Sequence, residues 1–114
     1  MKISEVVEKL GYDVVTMPYP EIEVKDGYAG DLLSWVMGRA EAGNIWVTIM
    51  SNINIVAVAS LTGVSAIVVA EGAAIAQDVI DKATEQGINI LKTNDSTFFS
   101  TIRIAKVLGM DLCL

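Results

Sequence analysis

The chain has 114 residues, of which 53% are apolar, and its 8 basic and 14 acidic residues give a net charge of −6. This length and composition predict one acidic domain spanning residues 1–114. The acidic balance argues against nucleic-acid partners and against a polybasic membrane-surface role, since both need clustered Lys and Arg. The absence of histidine excludes histidine-based catalysis and most zinc sites, and the one cysteine, Cys113, cannot form an internal disulfide, which favours a reducing, cytoplasmic location.

The first thirty residues predict one helix and two strands. A helix is expected over Ser4–Leu10, because it starts with a capping serine, carries an apolar stripe and is followed by glycine. Asp13–Met17 predicts a strand that Pro18 ends, since proline donates no ladder hydrogen bond. Glu21–Lys25 alternates polar with apolar residues and predicts a half-exposed edge strand, after which Asp26-Gly27 is a turn signal.

From Asp31 onwards, helices and strands alternate with short connections, an order typical of a parallel sheet with right-handed crossovers. The predicted elements are helix Asp31–Ala40 capped by Asp31, strand Ile45–Ile49, helix Asn52–Leu61, strand Ser65–Val69, helix Ala73–Gln86, strand Ile88–Leu91, a last helix capped by Asp95 or Ser96 that stops at Gly109, and a short apolar tail Asp111–Leu114 as a candidate final strand. The sequence therefore predicts an α/β fold. We expect three α/β/α layers around a mostly parallel sheet of about five strands, with an antiparallel or edge strand near the N-terminus.

The apolar residues of two helices supply part of the expected core. The helix Asp31–Ala40 is expected to bury Leu32, Leu33, Trp35, Val36 and Met37, and the last helix carries Phe98, Phe99, Ile102, Ala105 and Leu108 on its apolar positions. Trp35 and Trp46 are interpreted as core or interface residues, since aromatic side chains are enriched in both.

The uncharged segment Asn44–Ala70 is long enough to suggest a transmembrane helix. Polar residues recur through it, however, and Gly63 stands where a helix would end. Its composition also changes from rich in β-branched residues to rich in alanine and back to β-branched, which is typical of two buried strands around a buried helix. We therefore expect no membrane span.

Polar segments follow three of the predicted strands, and ligands of open parallel sheets bind beyond the carboxyl ends of the strands. The candidate ligand-binding residues in these segments are Ser51, Asn52, Asn54, Glu71, Gly72, Thr93, Asn94 and Asp95. Free amides at a helix start would suit an anion, although Ser51 and Asn52 are also ordinary helix caps. Glu71 is either a ligand acceptor or a solvated loop acid, and Glu71 with Asp95 would hold Mg²⁺ if their loops converge.

The chain lacks the stronger catalytic and cofactor motifs. It contains no G-x-x-x-x-G-K-[ST] phosphate loop, no G-x-G-x-x-G fingerprint, no G-x-S-x-G elbow and no C-x-x-C pair. Kinase activity is therefore not expected, because it needs phosphate-cradling amides and a lysine. No cofactor and no resident metal are predicted.

A series of segments in this order resembles the DRTGG domain family, which is similar to the N-terminal domain of HPr kinase/phosphorylase and, more distantly, to N-terminal domains of Mur ligases. The segments that carry the resemblance, which covers about Ser4 to Gly109, are Gly30–Met37, Trp46–Thr48, Asn54–Ala59, Ile67–Val69, Glu71-Gly72 and Gly87-Ile88. The family's aspartate-arginine pair falls at Ser51-Asn52. Its threonine-glycine-glycine falls at Ala70-Glu71-Gly72, where only the last glycine is kept.

The resemblance implies a regulatory or ligand-sensing role, since such domains occur beside CBS nucleotide-sensing modules, in phosphotransacetylases and before the HPr kinase catalytic domain. We expect a stand-alone, non-catalytic module that binds a small, anionic or nucleotide-type metabolite or a partner protein. A homodimer is also expected, because the apolar fraction exceeds that of a typical small domain. Two alternatives stay open: a metal-assisted enzyme using Glu71, Asp95 and Asn52, and a structural subunit of a larger enzyme complex.

Overall fold

A computed structural model of the chain describes residues 1–112. Helices and strands follow one another along these residues. The elements are α1 (Ile3–Leu10), β1 (Asp13–Thr16), β2 (Asp26–Ala29), α2 (Leu33–Arg39), β3 (Asn44–Thr48), α3 (Asn54–Thr62), β4 (Ala66–Val69), α4 (Gln77–Gln86), β5 (Ile90–Lys92) and α5 (Thr97–Val107).

The strands form one mixed sheet in the order β1-β5-β4-β3-β2. Strands β2 to β5 are parallel to one another, and β1 pairs with β5 antiparallel at one edge. Helices cover both faces of the sheet, so the predicted α/β class and its antiparallel edge strand near the N-terminus are confirmed. The carboxyl ends of β3, β4 and β5 consequently lie along one rim of the sheet, as the site prediction requires.

Side chains of the central strands alternate between two cores, because successive residues of a strand point to opposite faces. Trp46, Ile67 and Ile90 pack in the core beneath α2, α3 and α4. Ile45 and Leu91 pack in the core beneath α1 and α5. Burial on both faces explains why β3 and β4 contain no charged residue.

The uncharged segment 44–70 forms β3, α3 and β4, so its interpretation as two strands around a helix is confirmed. Across residues 1–112, no helix combines the length and the hydropathy that crossing a bilayer requires.

The predicted strand Glu21–Lys25 is wrong. Its residues form a loop against the start of α1, held by the isolated bridge between Lys2 and Glu23 and by backbone hydrogen bonds from the Ile3 N–H to the Ile22 carbonyl and from the Val24 N–H to the Met1 carbonyl. Val24 is buried in the core without belonging to a ladder, and this burial produced the misleading alternation. The strand starts instead at Asp26, where a turn was predicted, because the Lys25 N–H bonds to the Gly43 carbonyl and sets the register with β3.

Several helix and strand starts differ from the predicted ones. Helix α1 already starts at Ile3 with Lys2 as its N-cap, so the capping role predicted for Ser4 is wrong. Helix α2 starts at Leu33 and has no side-chain cap, so the capping role predicted for Asp31 is wrong. Helix α4 starts at Gln77 rather than Ala73, because the backbone of Ala76 is still extended at ψ 155°. The last strand is shifted to Ile90–Lys92. Residues 111–112 form no strand, and Cys113 and Leu114 lie outside the described residues.

Most of the apolar residues predicted to be buried on α2 are exposed, as are several on α5. Only Val36 of α2 is fully buried, and the Trp35 side chain is 57% exposed. Its indole ring stacks instead under the Arg39 guanidinium at 3.7 Å. The helix has seven residues and lies over the edge of the sheet, where little core is available to cover it. Trp46, by contrast, is buried as expected.

Candidate functional site

The loops that follow β4 and β5 are joined directly at the carboxyl rim of the sheet. The Glu71 N–H donates to the Asp95 carbonyl at 2.8 Å, and the Gly72 N–H donates to the Thr93 carbonyl at 3.0 Å. Five of the predicted site residues, Glu71, Gly72, Thr93, Asn94 and Asp95, therefore belong to one hydrogen-bonded pair of loops, which we call the rim loops.

Glu71 adopts a left-handed backbone conformation with φ 62°, which only this non-glycine residue shows among residues 1–112. Its Oε2 atom accepts a hydrogen bond from the Thr97 N–H, the first residue of α5, at 3.2 Å. The carboxylate thus lies against the positive end of the α5 dipole, where negative charge is stabilised. Ser96 caps the same helix by accepting from the Phe99 N–H at 3.0 Å, as predicted.

Gly72 allows the rim loops to approach each other closely. Its φ is 68°, and a Cβ atom at this position would lie 2.9 Å from Oδ1 of Asn94. The backbone conformation therefore favours glycine here, and any side chain at this position would have to displace the exposed Asn94 side chain. Asn94 itself is exposed, and Thr93 is half-buried with its Oγ1 atom accepting from the Asp95 N–H.

Arg103 holds the rim loops to the first helix, and the sequence analysis did not single it out. Its Nη1 atom donates to Oδ2 of Asp95, and its Nη2 atom donates to the Leu10 carbonyl, both at 2.7 Å. Its side chain is 32% exposed. The signal in the sequence was a single arginine within the apolar run of α5, but nothing indicated its partner 93 positions away.

A second polar connection, also missed, joins the ends of β2 and β3. Oδ1 of Asp31 accepts hydrogen bonds from the buried Thr48 hydroxyl at 2.8 Å and from the Ile49 N–H at 2.9 Å. The aspartate fixes the turn that leads from β3 into the Ser51-Asn52 segment. A capping residue before a helix and a residue that bridges two strands look the same in sequence, which explains the wrong prediction.

The three predicted residues after β3 have different surroundings. Oδ1 of Asn52 accepts from the Asn54 N–H at 2.9 Å in the turn before α3, and Ser51 is half-buried beside it. The N-cap residue of α3 is Ile53 and no side chain caps this helix, so the helix-cap interpretation of Ser51 and Asn52 is wrong. Asn54 lines a groove between α3 and α4 with a volume of about 410 Å³. No hydrogen bond within residues 1–112 links Ser51 or Asn52 to the rim loops, although both lie along the same rim.

Two buried hydroxyls lie behind Arg103 in the α1–α5 core. The Tyr12 and Ser100 side chains are buried, and neither hydroxyl has a hydrogen-bond partner of good geometry among the described residues. Burial is the main cause that raises the pKa of the Tyr12 phenol, and the neighbouring Ser100 hydroxyl and Arg103 charge offset part of that effect. The Arg103 guanidinium lies 5.5 Å from the centre of the Tyr12 ring.

The two carboxylates proposed as Mg²⁺ ligands both have protein partners. Asp95 pairs with Arg103, and Glu71 bonds to the start of α5. In the part of the chain that the structure describes, no group of three or more potential metal-ligating side chains is present.

The family model of the DRTGG domain matches residues 30–107. The chain belongs to the DRTGG domain family. The match includes every rim-loop residue, Arg103 and Asp31, so the geometry above is that of a DRTGG domain. None of the curated proteins compared with this DRTGG domain matches it significantly. Similarity to HPr kinase remains a prediction.

A solved structure with the same fold contains the CBS and DRTGG domains of the regulatory region of Clostridium perfringens pyrophosphatase, complexed with the activator diadenosine tetraphosphate. It is similar with a TM-score of 0.70 and 15% sequence identity, over 90% of this DRTGG domain chain. The match spans 45% of that chain, less than half its length. At this identity the similarity shows a common fold.

Proposed function

We propose that this DRTGG domain is a regulatory module that binds a small, anionic, nucleotide-type metabolite at the carboxyl rim of its sheet, without catalysing a reaction on it. Membership of the family supports a regulatory role, and the similar pyrophosphatase region is complexed with a nucleotide activator. The ligand class for this chain is our proposal.

The observation that carries this proposal is that both carboxylates of the rim loops are bonded to other groups of the protein. The Glu71 carboxylate is bonded to the start of α5, and the Asp95 carboxylate is paired with Arg103. The neutral side chains exposed on the rim are the amides of Asn52 and Asn94; Glu71 is exposed as well, with its Oε2 atom bonded to the start of α5. Neutral donors beside a compensated carboxylate pair suit phosphate oxygens better than uncompensated acids would.

The same contacts argue against the alternative of a metal-assisted enzyme. A cation between Glu71 and Asp95 would have to displace the Arg103 guanidinium from one carboxylate and the helix start from the other. Charge-assisted hydrogen bonds of this kind are among the stronger ones in proteins.

Thermal unfolding with added probes tests the ligand proposal. We expect the melting temperature to rise with at least one of ADP, ATP and diadenosine tetraphosphate, and less or not at all with inorganic phosphate. A probe at a hundred times its Kd adds about 2.7 kcal/mol, which corresponds to a shift on the order of 10 °C for a domain of this size. No shift with any nucleotide at millimolar concentration would overturn the proposal.

Variants locate the site and separate binding from catalysis. Asn52→Ala and Asn94→Ala should reduce the shift, whereas Ser60→Ala, on the exposed side of α3, should leave it unchanged. Incubation with ATP and Mg²⁺ should release no phosphate. Turnover that disappears in Glu71→Ala would favour the enzyme instead.

We also propose that the protein is a cytoplasmic homodimer. Support comes from the large apolar side chains that remain exposed on α2, α3 and α5, together with the high apolar content. Light scattering at micromolar concentration tests the dimer, and a monomer mass at all concentrations would contradict it.

A further inference from the structure

The outward side of α3 carries apolar and small residues where a surface helix normally carries charges. Ile53, Ala57, Ser60 and Leu61 are exposed, and we call these four residues the α3 face. Leu61 is 75% exposed, the highest fraction among the large aliphatic side chains of residues 1–112. Helix α3 contains no charged residue at all, so the face carries no charge, and its one polar side chain is the Ser60 hydroxyl.

The α3 face lies in the middle of the helical layer. Helix α3 packs against α2 on one side and against α4 on the other. Between α3 and α4 the groove of about 410 Å³ has an apolar wall formed by Ile53, Ala57 and Leu61. The polar part of the groove lining comes from Asn54, Ser60, Lys82 and Gln86. An exposed apolar ridge beside a groove with one apolar wall is a surface expected of a protein interface, because burying the apolar part removes it from water.

The two flanks of the α3 face have opposite charge. Helix α2 has Arg39 as its only charged residue, a charge of +1. Helix α4 has Lys82 against Asp78, Asp81 and Glu85, a charge of 1 − 3 = −2. The α3 face is thus an uncharged strip between a helix of charge +1 and a helix of charge −2. The exposed acids Asp31 and Glu41 lie in the loops at the two ends of α2, and Lys82 of α4 lines the groove and pairs with Glu85 at 3.8 Å.

We infer that the α3 face is where a second copy of this chain binds, with the two-fold axis running along α3. This inference rests on the proposed homodimer and names its surface. The axis places α3 against the partner's α3 and the basic α2 of each copy opposite the acidic α4 of the other. A two-fold axis across α3 would bring the two acidic α4 helices together, which like charges disfavour.

The arrangement also explains how two copies that each carry a net charge of −6 can associate. Their contact is centred on the helix without carboxylates, so no acidic group has to lose its water without a partner.

Sedimentation equilibrium on matched variants of the full chain tests the inference. Leu61→Glu should raise the dimer dissociation constant by roughly tenfold or more, as loss of a central apolar contact does. Phe98→Glu is the control, because Phe98 is 76% exposed but belongs to α5 on the opposite side of the sheet. It should leave the dissociation constant unchanged. Circular dichroism checks that both variants fold.

Charge reversal tests the orientation of the partner. Arg39→Glu alone should weaken the dimer, and combining it with Glu85→Arg should restore most of the loss. Three results would overturn the inference. If Phe98→Glu breaks the dimer and Leu61→Glu does not, the interface lies elsewhere. If the double charge reversal fails to restore association, the proposed axis is excluded. If the wild-type protein is a monomer, the homodimer proposal fails as well. The ligand-binding proposal is unaffected by all three.

Discussion

Arg103 donates from one guanidinium nitrogen to the Asp95 carboxylate and from the other to the Leu10 carbonyl, each at 2.7 Å. One side chain on α5 therefore joins the loop after β5 to the end of α1. The pair is about one quarter to one third exposed, so its charge is partly screened by solvent. Its geometric role is to hold Asp95 away from the outer side of the rim.

Replacing Arg103 should destabilise the fold and disorganise the rim. Arg103→Ala removes the two hydrogen bonds that the guanidinium donates, so we expect a loss of about 1 to 3 kcal/mol in the free energy of unfolding. Urea denaturation measures it. Lys106→Ala, an exposed position on the same helix, should stay within about 0.5 kcal/mol of the wild type. Equal midpoints for the two variants would show that Arg103 contributes nothing to the fold.

Tyr12 should make the protein sensitive to alkaline pH. Because burial raises the pKa of its phenol, the unfolded chain loses this proton before the folded protein does. The contribution of Tyr12 to stability is therefore complete below its ordinary pKa near 10 and is lost as the pH rises through the raised value. Unfolding followed from pH 8 to 11 should show a steeper decline for the wild type than for Tyr12→Phe.

At neutral pH the Tyr12→Phe variant should be about as stable as the wild type. Its hydroxyl is buried and has no partner of good geometry within residues 1–112, so removing it leaves no new unsatisfied group. Tyr12→Ala, by contrast, should cost about 3 to 5 kcal/mol, as large-to-small changes of buried aromatic residues do. A marked loss of stability in Tyr12→Phe would mean that the hydroxyl has a partner in solution.

Asp31 should matter for stability although it caps no helix. Asp31→Ala leaves the buried Thr48 hydroxyl without an acceptor, and we expect a cost of about 1 to 3 kcal/mol. Asp31→Asn keeps an oxygen in place and should cost less. Thermal unfolding of both variants, with Asp13→Ala as an exposed control, checks which of the two substitutions costs more stability. A larger cost for the asparagine variant would contradict the role assigned to this oxygen.

Gly72→Ala should separate backbone strain from side-chain crowding at the rim. The left-handed φ of 68° should cost an alanine about 1 kcal/mol whatever its neighbours do. The new methyl group must also displace the Asn94 side chain. Combining Gly72→Ala with Asn94→Ala should recover only the part of the stability loss that comes from crowding against the Asn94 side chain. If the double variant is fully as stable as Asn94→Ala alone, the strain argument fails.

The sequence was sufficient to predict the parallel strands at the centre of the sheet, because burial on both faces leaves β3 and β4 without charged residues. The rim loops followed from that order, since the ends of parallel neighbours must lie together. Arg103 could not be predicted, because its contact with Leu10 joins helices at opposite ends of the chain and follows no periodicity. Asp31 was misinterpreted because a helix-capping aspartate and an aspartate that bridges two strands have the same local sequence pattern. Glu21–Lys25 was misinterpreted because a loop with a buried apolar residue shows the same alternation as an edge strand.

The bond from Arg103 to the Leu10 carbonyl joins two helices that are synthesised far apart in time, since 93 positions separate the two residues. The first helix meets its partner helix only after the roughly 90 residues between them have been made, and so the core beneath α1 and α5 is completed only with α5. Contacts between such distant segments slow folding, since a long loop has to close before they form. A nascent chain that has left the ribosome only as far as β5 has α1 but not α5 on this side of its sheet, so part of that face is still uncovered.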